Sequence, residues 1–202
     1  MVETQLERRG ITDPLVLNAM RRVPRHEFVS EVHRDDAYGD HPLPIGCDQT
    51  ISQPFIVASM TQELHLGPSS RVLEIGTGCG YQTAVLAEIV DQVFSVELIP
   101  ELHDDAHLRL QRLGYGNVAL KCADGSHGWP EHAPFDAILV AAAAYRLPDA
   151  LPDQLAEGGR LIIPIVSEDG HNQDLVLFQK SARELRRDTL YGVRFVPFCT
   201  GE

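Results

Sequence analysis

The stretch Arg71 to Tyr81, RVLEIGTGCGY, decides the fold. Val72, Leu73 and Ile75 make a short apolar run that reads as a buried strand. From Tyr81 to Val90, YQTAVLAEIV repeats apolar residues at helical spacing. Gly76, Gly78 and Gly80 stand between them. A strand that turns so sharply into a helix needs positive φ and close backbone approach, which glycine allows, and it brings unpaired helix N–H groups to one edge. The spacing is not the GxGxxG of a dinucleotide site, because Tyr81 stands where the third glycine would be. The next strand, Gln92 to Glu97 (QVFSVE), ends in an acid placed to accept hydrogen bonds from both hydroxyls of a ribose. A nucleoside-type ligand at the carboxyl ends of these two strands is the expectation.

The remaining chain alternates in the same way. Asp13 and Pro14 are an N-cap and a first helical position, and Leu15, Val16, Ala19 and Met20 form the face of a helix ending near Val23-Pro24. Arg21, Arg22 and Arg25 read as a solvated face. From Tyr38 to Phe55 the periodicity is lost, as in a site-building loop. Ser52 or Gln53 then starts a helix from Pro54 to Leu66 with Ile56, Met60 and Leu64 on one face. A polar-faced helix from Glu101 to Leu113 stops at Gly114. Strands are expected at Asn117–Cys122, Phe135–Val140 and Gly159–Ile165, with a short helix from Pro148 to Ala156. Two last strands, Asp174–Gln179 and Val193–Phe198, flank the polar SARELRRD and lack a long intervening helix, so an antiparallel ending is expected. The fold class is α/β: a doubly wound, mostly parallel seven-stranded sheet with N-terminal helices. A single domain over 1–202 is expected, with 1–55 forming the N-terminal helices and active-site loop and 56–202 the Rossmann-like core.

Composition narrows the function class. A net charge of −12 over 202 residues argues against a nucleic-acid groove, which needs a basic face. No charged leader followed by an apolar run is seen, nor any stretch nearing the roughly 18 apolar residues of a membrane span, so a cytoplasmic location is expected. Cys47, Cys79, Cys122 and Cys199 form no CxxC pair and no metal-ligand spacing with the histidines, which reads as free thiols without a metal. Cys79, inside the glycine turn at a helix N-terminus, is the one whose pKa that position would lower. A monomer is expected, since no long exposed apolar helix is evident.

The Glu74-x-Gly76-x-Gly78-x-Gly80 turn with Glu97 at the next strand end resembles the S-adenosylmethionine (AdoMet) site of class I methyltransferases. Over a longer span, from about Val23 onward, PLPIGCDQTISQPFIVASMT (Pro42–Thr61), VLEIGTGCGYQTAVLA, SVE, Asp124-Gly125 with Gly128-Trp129 after it, APFDAILV, LPDQLAEGGRLIIPI and VRFVP resemble the protein-L-isoaspartate O-methyltransferase family. The resemblance implies transfer of the AdoMet methyl group to the free α-carboxylate of L-isoaspartyl residues in damaged proteins. The ester then collapses to a succinimide that partly rehydrolyses to aspartate. By motif match, Ser52 orients the substrate carboxylate. Gln49, Thr50, Ile51 and Ser52 close over the cofactor, and Glu74, Gly76, Thr77, Gly78, Gly80, Glu97, Leu98, Asp124 and Gly125 bind it. The segment at Val196 lends backbone N–H groups to the substrate. Asp124 by the same match accepts the adenine amino hydrogen, a reading compatible with the lesser one of an Asx turn with Gly125; the lesser reading of Ser52 is an N-cap for the Pro54 helix, and one hydroxyl does not readily do both.

Three positions depart from the family pattern: Asp48 for the glycine before QTIS, Ala123 for the glycine before Asp124, and Ala141 where bacterial members often have threonine. If Asp48 faced the substrate anion at about 4 Å, repulsion would approach about 4 kcal/mol at an effective dielectric near 20. Facing water, it would cost little. Two alternatives therefore stay open at this point: a specialised carboxyl methyltransferase acting on aspartate or a small acid, and an AdoMet-binding protein with little turnover.

Overall fold

The computed structural model describes residues 1–182 and 184–201. Helix α1 (Pro14–Arg22) starts as the sequence dictates, with Asp13 Oδ1 accepting from the Leu15 and Val16 amides at 2.8 and 3.4 Å and Pro14 in the first turn. A hairpin follows, β1 (Leu43–Gly46) and β2 (Gln49–Ile51), then α2 (Pro54–Glu63). Next come β3 (Arg71–Ile75), α3 (Tyr81–Ala87), β4 (Gln92–Glu97), α4 (Pro100–Arg112) and β5 (Val118–Cys122). The last elements are β6 (Phe135–Val140), α5 (Ala150–Gln154), β7 (Leu155–Val166), β8 (Gln173–Lys180) and β9 (Leu185–Val193).

The seven-stranded sheet has the order β5-β4-β3-β6-β7-β8-β9. β3 pairs in parallel with both β4 and β6, while β7–β8 and β8–β9 are antiparallel. The chain leaves β3 toward β4 and β5, then crosses back to β6 on the other side. This reversal opens a crevice at the carboxyl end of β3, where doubly wound sheets bind ligands. Apolar residues pack both faces of the sheet. Val72, Val85 and Leu139 join Leu6, Met20 and Val57 on one, and Leu73, Ile75, Ile138 and Leu161 join Leu151 on the other. No helix among the described residues is long and apolar enough to cross a membrane.

Several expectations are corrected. The final strand is not Val193–Phe198 but Leu185–Val193, so the polar run supplies the strand instead of separating two. At the edge of the sheet β9 pairs on one side only, and its half-exposed side chains tolerate Arg186, Arg187 and Asp188. The Tyr38–Phe55 loop contains the β1–β2 hairpin. The short helix shrinks to Ala150–Gln154 because β7 begins at Leu155, paired with Phe135. Arg25 is not solvated: it is fully buried, with Nε donating to the Ala37 carbonyl at 2.7 Å and the guanidinium over the Tyr81 ring at 4.8 Å. Burial lowers its pKa, and both Nη atoms lack partners among the described residues.

Candidate active site

The crevice is a cavity of about 1010 Å³, part of it open to solvent. Three structural devices build it. The first is the glycine turn. Gly76, Gly78 and Gly80 adopt φ of 93°, 55° and 88°, in the left-handed region that L side chains avoid. Gly76 and Gly78 line the cavity with Thr77, whereas Gly80 sits behind it, capping α3 and packed against Leu110. The second is the tip of β4. Glu97 Oε2 accepts from the Gly78 amide at 2.8 Å and Oε1 from the Ile99 amide at 3.0 Å. The carboxylate is thereby fixed in place, and each oxygen keeps a further lone pair for a ligand hydroxyl. Leu98 continues this wall, and Gly125 closes it from the turn after β5. A Cβ on Gly125 would fall 2.3 Å from Ile75 Cγ2, so no larger residue fits there.

The third device is the β1–β2 hairpin, which brings Gln49, Thr50, Ile51 and Ser52 to the cavity wall. Cys47 and Asp48 form its two-residue turn with φ of 50° and 56°, the positive values that a tight hairpin demands. Asp48 is exposed at this tip and does not line the cavity, so its charge is solvated and the anion-repulsion problem does not arise. Ser52 is half-buried, and Gln53, without a side-chain bond, is the N-cap of α2. The Ser52 hydroxyl therefore has no capping duty, and it makes no hydrogen bond among the described residues.

Opposite lie Ala141, Ala142 and the segment Val196–Cys199. That segment runs beside the end of β6 like a short extra strand. The Ala143 amide donates to the Val196 carbonyl, and the Phe198 amide to the Ala143 carbonyl, each at 2.8 Å. Phe195 N–H donates to Gln173 Oε1 at 2.6 Å, leaving the Val196 N–H unengaged among the described residues. Among the described residues no group of three or more His, Cys, Asp and Glu side chains is placed to hold a metal ion.

Two acids expected on the cavity wall are not there. Glu74 lies beneath the glycine turn, fully buried, its Oε2 accepting from Thr83 Oγ1 at 2.5 Å and Ser95 Oγ at 2.6 Å. Thr77 Oγ1 lies 2.6 Å from Ser95 Oγ, so Glu74 anchors the turn through a chain of hydroxyls. Complete burial pushes its pKa up to about 7, and Oε1 has no partner among the described residues. Asp124 is committed to backbone: Oδ1 accepts from the Ser126 amide at 2.8 Å and Oδ2 from the Gly201 amide at 3.0 Å. The Asx-turn reading of Asp124 thus holds. Cys79 also departs from expectation. Burial pushes its thiol pKa up, outweighing the Arg109 and Arg25 charges that would lower it. The walls from Ile45, Tyr81, Gln82, Leu102 and Ala142 carried no local signal, because they are scattered over β1, α3, α4 and the loop after β6; only Ile99, adjoining Leu98, had one.

The residues present suit AdoMet. A fixed carboxylate faces where a ribose would lie, the turn leaves no side chain between backbone and ligand, and apolar walls flank both. Comparison with known proteins agrees. The family model for protein-L-isoaspartate(D-aspartate) O-methyltransferase (PCMT) matches residues 1–202. Protein-L-isoaspartate O-methyltransferase 1 of Syntrophobacter fumaroxidans is 56% identical over 196 residues, 97% of this chain and 91% of that one. A solved protein-L-isoaspartate O-methyltransferase superimposes with a TM-score of 0.90 at 32% identity over 98% of this chain, which spans 65% of that structure's length. A structure from Plasmodium falciparum in complex with S-adenosyl-L-homocysteine gives a TM-score of 0.86 at 30% identity, covering 99% of this chain and 97% of that one. With the glycine turn, the Glu97 tip and the hairpin serine on one cavity, and with this match along the whole chain, the protein belongs to the protein-L-isoaspartate O-methyltransferase family.

Proposed function

We propose that this chain methylates the free α-carboxylate of L-isoaspartyl residues in proteins and peptides, the first step of their return to aspartate through a succinimide. The observation that carries the proposal is the uncommitted Ser52 hydroxyl on the same cavity as the pre-oriented Glu97 carboxylate. AdoMet bound there supplies an electrophilic methyl group on a sulfonium sulfur. The rest is positioning by the chain. Glu97 takes the ribose hydroxyls, Leu98 and Gly125 flank the base, and Gly76, Thr77 and Gly78 bring backbone against the remainder. Gln49, Thr50 and Ile51 cover it from the hairpin. Glu74, Gly80 and Asp124 act by holding the turns in shape.

Ser52 donates a hydrogen bond to one oxygen of the substrate carboxylate, the Val196 N–H serves as a second donor, and the other lone pairs stay directed at the methyl group. A carboxylate with a pKa near about 4 is already ionised at neutral pH, so no general base is needed. Apolar walls from Ile45, Ile51 and Val57 exclude water from an anion whose charge disappears in the reaction, which favours the transition state over the ground state. The solvated position of Asp48 supports an active enzyme over a silent relative. We further take the protein to act as a cytoplasmic monomer on protein and not nucleic acid, in keeping with its net charge of −12.

The test is transfer of labelled methyl from AdoMet to one peptide made in isoaspartyl and aspartyl forms. Strong preference for the isoaspartyl form is expected; equal labelling of both, or of neither, contradicts the proposal.

A further inference from the structure

A second concavity adjoins the active-site cavity, and nothing in the chemistry above uses it. It encloses about 970 Å³, partly open to solvent, and is lined by the Ser126–His127 turn, the loop at Tyr145–Arg146, and Phe198 and Thr200. It borders the active site in two places. Phe198 lines both spaces, and Gly125 on the cavity wall is followed directly by Ser126 on the groove wall.

Both groove walls are rigid. Ala144, just before Tyr145, donates to the Pro164 carbonyl at 3.1 Å and accepts from the Val166 amide at 2.9 Å. Across the groove, buried Gln154 donates to the His127 carbonyl at 2.8 Å and accepts from the Trp129 amide at 2.7 Å. Tyr145 projects from this frame 84% exposed. A large aromatic on a fixed lip loses little side-chain entropy on contact and offers both an apolar face and a hydroxyl, the properties of an interface anchor. Arg146 beside it is paired with Asp149 at 3.3 Å, both side chains being about 80% exposed, so the pair is solvent-screened and contributes little alone.

We propose that this groove is a subsite for the peptide chain flanking the isoaspartyl residue, with Tyr145 as its specificity-determining anchor. The proposal rests on the isoaspartyl reading above: with the carboxylate at Ser52, the flanking chain leaves the cavity past Phe198 and crosses Tyr145. The groove thus discriminates a polypeptide from an isolated small acid.

The experiment compares wild type, Tyr145→Ala and Tyr145→Phe on an isoaspartyl tripeptide and on a ten-residue isoaspartyl peptide, with S-adenosylhomocysteine affinity measured for each protein. In wild type the longer peptide should have the lower KM. Tyr145→Ala should raise KM for the longer peptide by roughly fivefold to tenfold, the usual effect of removing an interface anchor. Tripeptide KM, kcat and S-adenosylhomocysteine affinity should stay within twofold, and Tyr145→Phe should keep most of the length advantage. Equal effects on both peptides, or none on either, overturn the subsite while leaving the isoaspartyl reading intact. Tyr145-dependent self-association with unchanged peptide kinetics also overturns it. Absence of turnover on both peptides removes the reading and the subsite together.

Discussion

Glu74 gives the sharpest quantitative prediction, because its site is closed to solvent and its partners are known. Burial raises its carboxyl pKa from 4.5 to about 7. At 1.36 kcal/mol per pH unit, ionising it in the folded protein costs about 3 kcal/mol relative to the unfolded chain. The stabilising contribution of the neutral form is fully present below about pH 4.5, the unfolded value, and is lost as pH rises through about 7. Glu74→Gln removes this titration. Its amide oxygen can accept from Thr83 and Ser95 as Oε2 does now, and its NH2 takes the place of Oε1, which has no partner among the described residues and carries the proton of the neutral acid, so both proteins bury an unpaired donor there. The two proteins should therefore be closest in stability at pH 5. Wild type should then lose about 2–3 kcal/mol relative to Glu74→Gln between pH 5 and pH 8. The assay is urea unfolding of both proteins at pH 5, 6, 7 and 8. All other titrating groups are shared, so only the difference between the curves matters. A difference that stays constant across this range would refute the reasoning.

Other substitutions separate the roles assigned to the site. Ser52→Ala is expected to lower kcat by roughly tenfold to a hundredfold while S-adenosylhomocysteine affinity stays within twofold; isothermal titration beside steady-state kinetics checks this, and equal losses in both would show that Ser52 serves the cofactor. Glu97→Ala also strips acceptors from the Gly78 and Ile99 amides, so it should weaken S-adenosylhomocysteine binding by at least about tenfold, with kcat at saturating AdoMet largely kept. Asp48→Gly relieves a left-handed residue at φ 56° on an exposed turn; thermal melts should show a gain of up to about 1 kcal/mol with unchanged kcat/KM, and a large loss of activity would reveal a role for that carboxylate.

What the sequence disclosed follows from where each residue sits. β3, β4 and β6 were legible because strands buried on both faces must be continuous apolar runs. β9 was not, since an exposed edge strand needs no such run. RFVPF, read as a full strand for its apolar content, makes only a single parallel bridge, Pro197 to Ala143 just past β6, and otherwise lines the cavity. Glu74 and Glu97 looked equivalent as acids near strand ends. Alternation along β3 turns Glu74 to the same face as Val72, into the packed core, while Glu97 stands at the tip of β4 and reaches the crevice. Arg25 sat among charged neighbours with no local sign of burial, its partners Ala37 and Tyr81 being distant in the chain. Ser52, by contrast, was found from its motif, and the structure adds that the hydroxyl is free of capping.

The most direct test of the account follows the substrate beyond methylation. An isoaspartyl peptide is incubated with the protein and excess AdoMet, and its isoaspartyl, succinimidyl and aspartyl forms are resolved chromatographically over time. The account predicts that the isoaspartyl form declines and the aspartyl form accumulates through the succinimide, only when AdoMet is present and far more slowly with Ser52→Ala. An isoaspartyl peptide that persists unchanged under saturating AdoMet would contradict it.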